Sequence, residues 1–117
     1  MKQAKILLLF FILLATVSFT AFHHGWSNYD QKKVLDYTGT IEKVKIENPH
    51  AMAWVKQKNK TWTVVLAPTS RMESRNVPLD KLKKGNTIRV VGYPHKTIKD
   101  EMRSERIFIE GVKYELR

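Results

Sequence analysis

Four histidines are the residues whose types and spacing could do chemistry in this chain. His23 and His24 are adjacent in FHHGWSNYD (Phe22–Asp30), and His50 and His95 each follow a proline, in NPH and YPH. There is no cysteine, which excludes disulfides, thiolate metal sites, thiol catalysis and lipid attachment through cysteine. Imidazole then carries the transition-metal option, because histidine is the commonest side-chain ligand for such metals. An imidazole-rich site suits Cu(II), Ni(II) or Zn(II), and Cu(II) binds most strongly of the three. Proline fixes its own φ and so aims the residue after it, which favours His50 and His95 as members of one pocket. The bland alternative is an exposed chain start and two histidines that form hydrogen bonds at strand ends.

The start of the chain decides what His23 and His24 can do. Lys2 and Lys5 precede an almost purely apolar run, Ile6–Ala15, and the small residues Thr16, Ser18, Thr20 and Ala21 follow. A positive start, an apolar middle and a small-residue end read as a secretory signal, removed at residue 21 or 22. The alternative is an anchor in the inner membrane formed by residues 6–22, a stretch short of the roughly 20 apolar residues that a span needs. A cut after Ala21 makes His24 the third residue of a free chain. Its imidazole, two backbone amides and the terminal amine could then form a square-planar copper site. A cut after Phe22 makes His23 first, so that its amine and imidazole could chelate together.

The elements that must position these residues are strands. The organisation expected is a signal over 1–21, an extended segment over 22–35 and a barrel over 36–117. TGTIEKVKIENPH (Thr38–His50) reads as a long first strand. Val44 and Ile46 share one face but Ile41 has the opposite parity, so a bulge near Glu42 is needed to reconcile them. AMAWVKQ and KTWTVVLA form a hairpin joined near Lys58–Asn59, with Trp62, Val64 and Leu66 on one face. Ser70 with Glu73 three residues on reads as a capping box, so a short helix starts there and ends by Pro78. A strand to Tyr93 follows, then another, a turn at Glu110–Gly111 and a last strand. MRSERI (Met102–Ile107) alternates charge, which predicts a surface ladder of ion pairs. A long bent first strand, with a helix between the third and fourth strands, is the layout of an OB-type barrel. The fold class expected is therefore all-β, a small OB-like barrel of five or six strands with one short helix. Trp54, Trp62, Val64, Leu66, Ile88, Val90, Ile107 and Ile109 are the candidate core, and a sandwich of short strands is the alternative.

The chain is basic, with 21 Lys and Arg against 11 Asp and Glu. Many of its lysines fall at turns. OB-type barrels can bind single strands through a basic groove and stacking aromatics, and Trp26 and Tyr93 are the candidate ligand-binding aromatics. An exported protein does not ordinarily meet nucleic acid, whereas anionic surfaces and envelope polymers lie in its path. No pair of acids is placed for acid–base work, and Ser70 sits in a capping position, so no enzyme is expected.

Three stretches carry a resemblance: HHGW with Tyr29 and Asp30, then TGT with ENPH, then LAP, LKKG and GYP followed by RSERI and GVKYEL. The chain resembles a family of small exported bacterial proteins classed as a domain of unknown function. Its members start the mature chain with a histidine pair and carry Asn-Pro-His at the end of the first strand. The resemblance implies a small exported β-barrel and no established activity. The function expected is a periplasmic or secreted binding module for Cu(II) at His23, His24, His50 and His95. The alternative is a ligand-binding or adaptor barrel for an envelope protein or an anionic polymer.

Overall fold

The structure, a computed structural model, describes residues 24–117, the side chain of His24 excepted. The leader, its cut site and His23 lie outside the described residues.

Six strands build the molecule: β1 (Leu35–Lys45), β2 (Met52–Gln57), β3 (Lys60–Val65), β4 (Thr87–Pro94), β5 (Glu101–Ile109) and β6 (Val112–Glu115). Their order is β3-β2-β1-β4-β5-β6. A parallel pairing of Thr63–Val65 with Glu101–Arg103 closes the first five into a barrel, and β6 adds to β5 outside the closure. The expected OB-like barrel is what the chain forms. β1 serves both halves, pairing β4 through Leu35–Thr40 and β2 through Thr40–Lys45. The bulge expected near Glu42 is present, since Ile41 faces Val55 while Lys43 faces Trp54. That extra residue bends β1, buries Ile41 and turns Val44 toward the same interior. Ile46 does not share that interior; it follows the strand end and is exposed.

Alternation fills the barrel. Ile41, Val55, Val64, Ile88, Val90, Met102 and Ile107 are all buried to about 1% exposure or less. Each such side chain contributes about 1.5–3 kcal/mol through removal from water. Trp62 packs at the margin of this core beside Tyr37, with Lys60 over its ring. Trp54, expected inside, lies on the outer face under Lys43. Its partner in the alternation, Val55, takes the interior instead.

The short helix α2 (Thr69–Ser74) lies between β3 and β4, as expected, but Ser70 does not cap it. Pro68 occupies the cap with φ −54° and no side-chain hydrogen bond. The proline ring already holds a φ suited to entering the helix, so the cap falls two residues before Ser70 and the Ser70–Glu73 pattern lies inside the helix. The helix ends at Ser74, before Pro78, which leads instead into a 3-10 turn, Leu79–Lys81.

The segment before the barrel is not simply extended. A single helical turn, α1 (His24–Ser27), is followed by an antiparallel bridge between Tyr29 and His95. Main-chain hydrogen bonds from Asp30 to Pro94 and from Lys96 to Asn28 lay this segment along the end of β4.

A second bulge decides what it covers. β4 and β5 slip register between Val91–Arg106 and Gly92–Ser104, leaving Glu105 as the extra residue. Met102 and Ile107 both point inward although they are five positions apart, an odd spacing. Arg103, next to Met102, therefore faces outward on the side where α1 lies. Gly92 is needed at this slip, because a Cβ there would lie 2.0 Å from the Arg103 carbonyl oxygen.

Candidate functional site: a buried arginine under Trp26

Arg103 is only 8% exposed. It does not belong to a surface ladder; the neighbouring ion pairs are made by Arg106 with Glu115 and Glu105, and by Arg117 with Glu105. The guanidinium of Arg103 lies over the Trp26 ring, 4.3 Å from its centroid, and that of Arg117 lies over the same ring at the same distance. Trp26 and Tyr93, the two aromatics expected to bind ligand, meet edge to face at 6.2 Å. Gly25 makes room for this arrangement, because a Cβ there would sit 2.7 Å from Arg103 Nη1.

The remaining contacts of Arg103 are weak for a buried cation. Nη2 donates to His50 Nε2 at 3.3 Å, and Nε is buried without a partner. Arginine cannot accept a hydrogen bond, so His50 accepts through Nε2 and is neutral, with its proton on Nδ1. Burial first, then Arg103 and Arg71, push the His50 pKa below its ordinary value. Burial also lowers the pKa of Arg103, with Arg71 and Arg117 adding repulsion and only Tyr29 opposing them. No carboxylate lies within ion-pair distance of Arg103 or Arg71 among the described residues.

Arg71 comes from α2 and donates to the main-chain oxygen of Leu116. It lines an open hollow of about 380 Å³ with Pro68, Ser70, Ser74 and Arg75. Glu105 is the nearby acid: it accepts from the Tyr93 hydroxyl at 2.7 Å and lies 3.6 Å from Arg117. Arg103 and Arg117 thus share the Trp26 ring, and Glu105, the acid beside Arg117, is already engaged by Tyr93 and Arg106.

His95 is occupied differently. Its Nδ1 accepts main-chain N–H groups of Thr97 and Ile98, at 3.1 and 2.9 Å. Its ring meets Tyr29 edge to face at 5.0 Å, and Nε2 lies 3.9 Å from Glu101. The Tyr29 hydroxyl donates to that carboxylate at 2.8 Å. Burial, then Glu101, raises the Tyr29 pKa. The two Pro-His pairs thus have different hydrogen-bond partners, Arg103 for His50 and the main chain of Thr97 and Ile98 for His95. No group of three or more His, Asp or Glu side chains able to hold a metal ion occurs among the described residues.

Sequence reasoning missed Arg103, Arg71 and Arg117. The signal for Arg103 was available in the parity of Met102 and Ile107, which demands a bulge between them. Compared with known proteins, the chain matches the model of a family of unknown function over residues 12–102. No curated protein matches it.

Proposed function

The chain belongs to that family, DUF6152, and from its geometry we propose that it is an exported barrel that binds an anionic ligand at Arg103. The observation that carries this reading is a cation 8% exposed, with an unpartnered Nε and no carboxylate in reach among the described residues. A buried charge without a counter-ion is costly, and a bound anion removes that cost. Trp26 and Tyr93 supply apolar walls for whatever carries the charge. The groups gathered here hold charge rather than move protons, so the reading is of a binder and not an enzyme.

Calorimetric titration with tripolyphosphate at low ionic strength tests it. One site is expected, weakening as salt rises and weakened at least about thirtyfold in Arg103→Gln. Absence of binding, or equal binding by the variant, would remove the reading.

Copper binding at the chain start is a second, separate proposal, confined to His23 and His24. It is supported by their position within three residues of the expected cut. Cu(II) should bind the processed chain tightly and lose affinity when residues are added before the free amine. Unchanged affinity in the extended chain would eliminate the amine as a ligand.

A further inference from the structure

Lysine charge is compensated unevenly over this barrel. Lys45 and Lys81 reach Glu47 and Glu110 at 3.2 and 2.7 Å. The ammonium groups of Lys32, Lys58, Lys96 and Lys99 have no acid within ion-pair distance among the described residues. These four lie toward one end of the barrel. Lys96 and Lys99 belong to the loop between β4 and β5, and Lys32 lines an open hollow of about 580 Å³ together with Lys96. Lys60, two residues past Lys58, reaches Asp100 in the same loop at 3.0 Å, and Thr63 donates its main-chain N–H to Asp100. The acids of this end are already engaged: Asp100 by Lys60, Asp30 by Lys33 and the Lys32 N–H, and Glu101 by the Tyr29 hydroxyl.

An apolar side chain stands among these lysines. Ile98, in KTIK, is 52% exposed. Its loop is held by hydrogen bonds, since the N–H groups of Thr97 and Ile98 both donate to His95 Nδ1 and that of Lys96 donates to Asn28. Val34, directly after Lys32 and Lys33, is 65% exposed and precedes Leu35, which faces Gly92 on β4. One exposed apolar residue is ordinary. An isoleucine fixed outward between unpaired lysines suits a partner that takes both. A soluble polyanion has no use for the isoleucine. A lipid surface accepts apolar side chains at the acyl boundary, draws lysines to anionic headgroups and lets their stems lie along apolar surface. Asn28 and Asp30, in the segment that follows the apolar run Ile6–Ala15, are bonded along this same end.

We propose that this end of the barrel docks on an anionic phospholipid surface, with Ile98 entering between headgroups and Lys96 and Lys99 facing their phosphates. The surface is separate from Arg103 and does not rest on the anion-binding reading.

The test is vesicle co-sedimentation of the processed chain, which keeps all six strands and the whole core and lacks the leader's own affinity for lipid. Vesicles of phosphatidylcholine with about one-third phosphatidylglycerol should bind it at least about tenfold more tightly than pure phosphatidylcholine, and less as salt rises. Replacing both Lys96 and Lys99 by glutamine should weaken binding at least about tenfold. The same change at Lys83 and Lys84, in the turn before the opposite end of β4, should alter it by less than about threefold. Ile98→Ser should weaken vesicle binding about fivefold and leave binding to dextran sulfate unchanged. Urea midpoints equal to wild type confirm that the variants fold. No preference for anionic vesicles overturns the proposal, as do equal losses in the two lysine pairs. Unchanged vesicle binding by Ile98→Ser also overturns it and assigns the lysines to a soluble polyanion if dextran sulfate binds.

Discussion

The two Pro-His corners of this barrel look alike in sequence and differ in charge balance. At His95, Nδ1 takes two main-chain donors, and the Tyr29 hydroxyl donates to Glu101. At His50, the partner is a buried arginine that has no counter-ion of its own among the described residues. The first corner is finished and serves to fasten the amino-terminal segment to the end of β4. The second leaves the Arg103 Nε buried without a partner, which on the proposed function is the stability cost of a binding site. Proline aims the following residue in both places; what that residue meets is decided by elements far away in the chain.

The comparison breaks most severely at Arg103. Arg103→Gln should weaken anion binding by about 2–5 kcal/mol, as expected when one member of a buried charge pair is removed. That is roughly thirtyfold or more in affinity, readable by calorimetry. The same substitution should leave the Tyr29–His95 bridge intact, as judged by amide exchange at His95 and Lys96.

Tyr29→Phe should produce the opposite pattern. Loss of a hydrogen bond to a charged, part-buried carboxylate costs about 1.5–3 kcal/mol, measurable by urea unfolding. Anion affinity should stay within about twofold of wild type if the Tyr29 corner is only a fastening. A larger loss of affinity would mean that the two corners act as one site.

The smallest effect concerns pH. The folded-state pKa of His50 lies below its unfolded value near 6.5. The unfolded chain therefore binds more protons in the window just below 6.5, and stability falls as pH drops through it. His50→Gln should flatten that part of the stability–pH curve. A curve unchanged by the substitution would show that another group titrates there.

Much of the barrel was legible because its signals are local. The parity conflict between Ile41 and Val44 required a bulge at Glu42, and Lys58–Asn59 and Glu110–Gly111 marked their turns. Trp26 and Tyr93 were singled out as candidate ligand-binding aromatics, but their contact with each other was not legible. The arginine site was not legible, because three separate elements bring Arg71, Arg103 and Arg117 together. Charge alternation in MRSERI suggested a solvated ladder, and only the slip at Glu105 and the cover of α1 put Arg103 out of water. Ser70 misled for a simpler reason: Pro68 starts the helix earlier than a capping box would.

The central claim is that Arg103 is retained for a ligand at the expense of the free protein. Replacing an uncompensated buried charge with an apolar side chain of similar length is often neutral or stabilising. Urea unfolding of wild type and Arg103→Met, each with and without saturating sulfate, tests this most directly. The account predicts that Arg103→Met is at least as stable as wild type without sulfate, and that sulfate stabilises only the wild type. An Arg103→Met chain less stable by more than about 1 kcal/mol, a loss of the size expected for an ordinary structural contact, together with no sulfate effect on wild type, would contradict it.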